Sequence, residues 1–160
     1  QTFIQTDDHP VVNVSWKQVA NFCEWLSKAT GKEWGLPTNA EWVAAVGKTK
    51  YIWGDYFPPN WDDGNYAILS DGKDDPEKIG VDDIKGTAPV GSFKPNALGF
   101  YDLGGNAAEW MADGGNRNNR ILRGAGWAGF NFTRICRTND FITALDVLTC
   151  ADIGFRVVRR

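Results

Sequence analysis

An α+β fold with unusually little regular structure is what this sequence predicts. Three observations carry that reading. Two segments in the first third pair a helix-capping signature with a one-sided apolar pattern. After residue 47, Gly, Pro, Asn and Asp recur every few residues and leave room only for short strands. Eight tryptophans, within a 13% aromatic content, suit a chain that must hold long ordered loops together.

The first helix is predicted to open at Ser15-Trp16-Lys17-Gln18. There the serine hydroxyl can take an orphan amide while Gln18 reaches back to the cap. Val19, Phe22, Cys23 and Leu26 then fall at i, i+3, i+4 and i+7, an apolar stripe that runs out near Gly31. Thr38-Asn39-Ala40-Glu41 repeats the box and is followed by Trp42, Ala45 and Val46, a second helix. Upstream, His9 precedes Pro10 in an extended HPVV segment with no second histidine or nearby thiol, so no catalytic role is expected of it. Beyond residue 47 the apolar stretches, such as Val90 to Phe93 and Gly154 to Val158, are short. Lys73 to Asp83 reads as an acidic loop, and Gly114-Gly115-Asn116 supplies turn chemistry, with Asn118 and Asn119 close behind.

Composition narrows the function classes. At 160 residues and 42% hydrophobic, the chain is expected to be one domain, 1–160, with a sizeable core. A net charge of −3 and a pI near 5.1 leave no basic footprint, so nucleic acid is not an expected partner. No apolar run approaches the length of a membrane span and no signal peptide is legible. The chain starts at Gln, which predicts an upstream segment and leaves localisation open. Cys23, Cys136 and Cys150 are odd in number and lack CxxC spacing, which predicts free thiols and not a disulfide framework or a zinc site.

The last forty residues are the most informative. RILRGAGW (120–127) and IGFR (153–156) frame a 25-residue insert, Ala128 to Asp152, with no period, charge pattern or catalytic motif. The chain has nine Lys, five Glu, three Gln, one Met and eight Trp. A window of that size should hold roughly four of these residues, and the insert holds none. Every residue type in it can be encoded by a codon ending in a pyrimidine. Asn codons whose two adenines had been randomised would leave that signature; chance is the alternative.

HPVVNVSW (9–16), the Cys23-Glu24-Trp25-Leu26 helix, GLPTNAEWVAA (35–45), WGD (53–55), GTAPVGSFKPNALGFYDLGGNAAEW (86–110), RILRGAGW and IGFR occur in order. Together they resemble the formylglycine-generating enzyme (sulfatase-modifying factor) family over almost the whole chain. The strand region that such proteins usually carry before the HPV segment is missing. The resemblance implies a loop-rich variant of the C-type lectin fold. It also implies oxidation of a substrate cysteine by two copper-binding cysteines placed shortly after the arginine-glycine-aromatic motif. Those two positions fall on Gly129 and Arg134. Neither can replace a soft thiolate for Cu(I), so no copper and no such activity are expected. Cys136 and Cys150 lie nearby, but only a shifted loop would recruit them.

The same resemblance implies calcium. Asp102-Leu103-Gly104-Gly105-Asn106-Ala107-Ala108-Glu109 matches one of the family's two calcium sites. Asp102 and Glu109 would give side-chain oxygens, and Gly105 and Ala107 main-chain carbonyls, to a structural Ca²⁺. The bland reading is that both carboxylates cap backbone amides in the turn. At the family's other site Asp82 is kept, with Leu69 and Ile84 as carbonyl donors, but Ile68 stands where a hard ligand belongs, so that site is left unassigned.

Three functional readings follow. In the first, the chain is a non-catalytic module that recognises a protein ligand through the insert. The same fold displays the variable surface of proteins diversified by retroelements in bacteria and phage, where an IGFR-type motif closes the randomised repeat. On that reading the surface comprises Ala128, Gly129, Phe130, Asn131, Phe132, Thr133, Arg134, Ile135, Asn139, Phe141, Ile142, Thr143, Leu145, Val147 and Thr149, with Leu148 adding apolar area and Arg134 and Arg137 as polar anchors. Against it, Leu145 and Val147 alternate with polar neighbours and could be core, and positions usually fixed in such repeats read Phe141 and Asp146-Val147 here. The second reading is an enzyme with altered chemistry. The third is an accessory domain fused to or encoded with a larger protein, such as a bacterial signalling kinase. A protein ligand is preferred to a sugar, because the Pro-containing calcium-sugar loop of true C-type lectins is absent.

Overall fold

A computed structural model describes residues 5–66, 86–128 and 136–160. The acidic loop at 73–83, the second calcium region at 68–84 and insert residues 129–135 lie outside that set.

Both capping boxes form. In α1 (Trp16–Thr30) the Ser15 hydroxyl accepts from the Gln18 N–H at 3.3 Å, and the Gln18 amide oxygen accepts from the Ser15 N–H at 2.8 Å. Gly31, left-handed at φ 65°, ends the helix. Val19 and Cys23 of the predicted stripe are buried, but Phe22 lies at its exposed margin, packed on Trp25 and Phe155. A two-residue strand, β1 (Trp34–Gly35), leads to α2 (Asn39–Val46), where Thr38 and Glu41 make the reciprocal cap and Trp42 and Val46 are buried.

The remaining strands are β2 (Ala108–Trp110), β3 (Asn119–Arg123), β4 (Ile142–Leu145), β5 (Ile153–Gly154) and β6 (Val158–Arg159). Four of them form one sheet in the order β4-β3-β2-β5, antiparallel except for the parallel β2–β5 pair. β6 pairs with β1 and joins the end of the chain to the first helical unit. The Gly114–Asn116 turn links β2 to β3. Gly115 has φ 67°, and a Cβ there would come within 2.2 Å of the Asn119 carbonyl, so only glycine fits. Val90–Phe93 forms a turn and not a strand: Gly91 takes φ 75°, and the Ser92 N–H bonds back to Pro89.

The sheet is a wall shared by two cores, because neighbouring residues on a strand point to opposite faces. Leu122 and Trp110 pack with Val19, Cys23, Leu36 and Ile153 on the α1 side. Ile121 and Met111 pack with Trp42, Val46, Ile52 and Leu103 on the α2 side. Tryptophans stitch the loops to this frame. The indole N–H of Trp16 bonds the Met111 carbonyl (2.8 Å), that of Trp110 the Val14 carbonyl (2.9 Å), that of Trp127 the Ala151 carbonyl (3.0 Å) and that of Trp53 the Tyr56 carbonyl (2.8 Å). Each satisfies one carbonyl, and Trp110 buries its whole ring while Trp16, Trp53 and Trp127 half-bury theirs. All three cysteines are free thiols; Cys23 and Cys136 are buried.

Candidate functional site

Downstream of β3 the insert returns to the sheet as β4 and leads into β5. Its described part is held mostly through its main chain. The Cys136 carbonyl accepts from the Ile52 N–H (3.1 Å), and the Thr138 N–H bonds the Lys50 carbonyl (3.1 Å). The Asp146 N–H bonds the Asn118 carbonyl (2.7 Å), and the Cys150 carbonyl accepts from the Asn13 N–H (2.9 Å). Arg123, 2% exposed, donates to the Thr138 carbonyl (3.1 Å), the Asp140 carbonyl and the Asn39 side chain (2.6 Å), so it ties the insert to the start of α2. Its guanidinium lies over the Trp42 ring, 5.2 Å from the centroid, and over the Phe141 ring, 5.5 Å from the centroid. Reading the sequence alone missed Arg123 as the anchor, although its place in RILRG next to the insert was visible.

With the main chain fixed, the side chains sort by parity. Asn139, Phe141, Thr143, Leu145, Val147 and Thr149 are exposed. Thr138 and Asp146 are buried between them, and Ile142 and Ala144 are half-buried against the cores. Phe141, Leu145 and Val147 are each about half exposed, at 48%, 55% and 59%. Leu145 and Val147 do alternate as in a strand, but they face outward. Ile142 instead packs inward, because β4 pairs with β3 so that Ile142 lies opposite Leu122. Ala128 is exposed at the near end, and Arg137 is exposed as well. Gly129, Phe130, Asn131, Phe132, Thr133, Arg134 and Ile135 fall outside the described residues.

Burial pushes the Cys23, Cys136 and Cys150 thiols up from their ordinary value, which disfavours the thiolate that a nucleophile or metal ligand needs. His9 spends its Nδ1 on Thr6.

The Asp102–Glu109 turn sits under a cleft of about 490 Å³ walled by Val90, Phe100, Tyr101 and Phe155. Asp102, Gly105 and Asn106 all have left-handed φ, at 53°, 77° and 63°, which coils the turn tightly. One Asp102 oxygen accepts from the Gly91 N–H (2.7 Å); the other is buried and has no hydrogen-bond partner among the described residues. Burial raises the Asp102 carboxyl above its ordinary value, with the Gly91 N–H and Arg156 pulling the other way. Glu109 is more fully engaged. It accepts from Arg156 Nε on both oxygens (2.8 Å each), from Arg156 Nη2, and from the Trp42 indole (2.9 Å). Arg156 Nη2 also reaches the Tyr101 and Asp102 carbonyls (3.1 and 3.2 Å). Among the described residues no three His, Cys, Asp or Glu side chains cluster as metal ligands, so a cation here would depend on main-chain carbonyls. The orphaned Asp102 oxygen fits Ca²⁺, whereas the Glu109 carboxylate would have to be shared with Arg156.

Residues 1–160 match the family described as the sulfatase-modifying factor enzyme 1-like domain. The formylglycine-generating enzyme of Bos taurus is 35% identical over 116 residues, covering 70% of this chain and 29% of that protein. The inactive C-alpha-formylglycine-generating enzyme 2 of Bos taurus is 38% identical over 128 residues, covering 75% and 39%. The serine/threonine-protein kinase pkn1 of Chlamydia pneumoniae is 30% identical over 129 residues, covering 79% and 15%. This chain therefore spans well under half the length of these relatives. Among solved structures, PvdO from Pseudomonas aeruginosa superposes with a TM-score of 0.74 at 28% identity, over 98% of this chain and 64% of that one. Treponema denticola variable protein 1 superposes with a TM-score of 0.71 at 23% identity, over 94% and 70%. No helix among the described residues is long and apolar enough to cross a membrane.

Proposed function

Since the chain belongs to the sulfatase-modifying factor enzyme 1-like domain family, we propose that it is a non-catalytic member, a recognition module that binds a protein partner through the surface of residues 128–152. One observation carries the reading. The described part of the insert is anchored through carbonyls and amides, with the Phe141 ring over the Arg123 guanidinium, while its other outward side chains at 139, 143, 145, 147 and 149 contribute little to that anchorage. Such a segment can change its outward residues without dismantling the fold. Three of those residues, Phe141, Leu145 and Val147, are large, apolar and about half exposed within one short stretch, which supplies apolar area for a partner to cover.

Catalysis by the family's copper chemistry is not supported. Gly129 and Arg134 bring no sulfur, and burial pushes the Cys136 and Cys150 thiols up, away from the thiolate that copper needs. A relative named as inactive, at 38% identity, supports a frame that outlives its chemistry. The copper-loaded protein is expected to form no formylglycine on a cysteine-containing sulfatase-type peptide; turnover would restore the enzyme reading.

The insert's pyrimidine-compatible composition supports an origin by retroelement diversification, on a fold that a protein named as variable also uses. Sequencing the gene neighbourhood tests this. A reverse transcriptase, with a near-copy of the 3′ codons differing mainly at adenines, is the expected finding; without them the surface is a fixed one. The similarity to a chlamydial kinase favours a second reading, that the module serves a larger signalling protein. The upstream reading frame decides it.

Calcium belongs to the same proposal. Asp102, with the carbonyls of Gly105 and Ala107 and a shared Glu109, would hold a structural Ca²⁺ that neutralises the buried carboxylate. It would brace the turn behind the sheet and take no part in ligand contact.

A further inference from the structure

The recognition surface proposed above ends in an open sheet edge. Among the described residues β4 is the last strand of its sheet and pairs on one side only, with β3. The Asp146 N–H bond to the Asn118 carbonyl sets the phase of that ladder, in which Ala144 lies opposite Arg120 and Ile142 opposite Leu122. Antiparallel hydrogen bonding alternates, so Ile142, Ala144 and Asp146 direct their main-chain groups to β3, while those of Thr143 and Leu145 point away from it. The Leu145 carbonyl is taken by the Leu148 N–H at 2.9 Å. Among the described residues nothing bonds the N–H or carbonyl of Thr143, or the N–H of Leu145.

Soluble proteins blunt such edges with lysine, proline, bulges or inward charges. Residues 141–145 read Phe-Ile-Thr-Ala-Leu, with no charge, proline or glycine. The side chains beside the open edge are Phe141, Thr143 and Leu145, so the strip is uncharged in its side chains and unsatisfied in its main chain. Its complement is a backbone in extended form carrying uncharged, apolar residues at alternate positions. We propose that β4 takes up an extended, uncharged segment of a partner protein as a fifth strand of the sheet. The Thr143 and Leu145 amides and the Thr143 carbonyl bond its main chain, and Phe141, Leu145 and Val147 meet its side chains. This rests on the recognition reading and specifies its mode. Main-chain bonds supply affinity that no side-chain change removes, and the outward row supplies selectivity. A second copy of the chain is a poor occupant. Two β4 edges would share only a strip about 13 Å long and about 5 Å wide, well under the about 800 Å² per partner that a stable dimer buries.

The test selects twelve-residue peptides from a random phage-displayed library against the full chain. Affinities of the selected peptides are then compared for the wild type, Thr143→Pro, Thr143→Ala and the triple variant Phe141→Ser, Leu145→Ser, Val147→Ser. Proline at 143 removes an outward N–H that the sheet does not use, a position where an edge strand tolerates it. Selected peptides are expected to alternate apolar residues, to lose at least about tenfold in affinity on Thr143→Pro, and to stay within about threefold on Thr143→Ala, as for lost main-chain bonds. Amide exchange at Thr143 and Leu145 in the wild-type protein is expected to slow on peptide binding, a readout that does not need the proline variant to fold. Binding kept by Thr143→Pro but lost by the triple variant overturns strand addition and leaves the recognition surface intact. Binding indifferent to both overturns the two readings together. Unprotected Thr143 and Leu145 amides in the complex, or a selection without alternating peptides, overturn strand addition.

Discussion

Glu109 is the residue where the sheet, α2 and the C-terminal motif meet. It lies on β2, its carboxylate holds the Trp42 indole and the Arg156 guanidinium, and its side chain is 6% exposed. Removing one member of a buried ion pair strands the other charge, so Glu109→Ala is expected to cost about 3–5 kcal/mol. Denaturant unfolding measures it; a loss under 1 kcal/mol would mean that Arg156 finds solvent without penalty. Seven residues upstream, Asp102 presents the opposite case, a carboxylate with too few partners. Its carboxyl is raised in the folded state, so its contribution to stability is present at low pH and is lost as pH rises through the folded value. Calcium, which binds the ionised form, is expected to raise Tm over an EGTA control near neutral pH. That gain should shrink as acid protonates Asp102 and be absent in Asp102→Ala. Equal Tm in calcium and EGTA at pH 7 would leave the Arg156 guanidinium as the turn's only cation.

The elements differ in how openly the sequence declares them. Both helices were legible, because capping is local: Ser15 with Gln18, and Thr38 with Glu41, need only a three-residue spacing. The strands were harder, since β1, β5 and β6 are two residues long and exist only through partners more than a hundred residues away or on the far side of the insert. β4 shows the limit clearly. Its alternation was visible, but its phase was set by Asn118 and Leu122 across the ladder, which no window of the insert contains. The outward row was therefore readable as a set, whereas the inward turn of Ile142 was not. A corresponding asymmetry is expected under substitution. Serine at 141, 145 and 147 together is expected to shift Tm by no more than a few degrees, each change being at the surface. Serine at 142 alone should cost about 2–3 kcal/mol by burying a hydroxyl in place of packed apolar surface. Thermal melts compare the two, and a collapse of the triple variant would make the outward row part of the core.

At the scale of the whole molecule, the sheet serves as the common wall of two cores, with Ile121 and Leu122 facing opposite ways. Disturbing either side therefore disturbs both. Trp110 is fully buried and also bonds the Val14 carbonyl, so Trp110→Ala is expected to cost about 3–5 kcal/mol and to lower one cooperative transition without splitting it in two. Calorimetry distinguishes these outcomes; two resolved transitions would mean that the cores melt separately.

The closing strands lie downstream of the insert: β5 inserts beside β2, and β6 reaches back to β1. A reading frame interrupted anywhere between 128 and 152 thus yields a polypeptide without its sheet seam, and every in-frame stop there is a null allele. All three stop triplets end in a purine. A segment written only in pyrimidine-ended triplets can be rewritten at its first two bases indefinitely and never encode one. The composition of the insert is compatible with such a script throughout, and in this topology that spelling would keep every rewritten gene translated through to the strands that complete the fold.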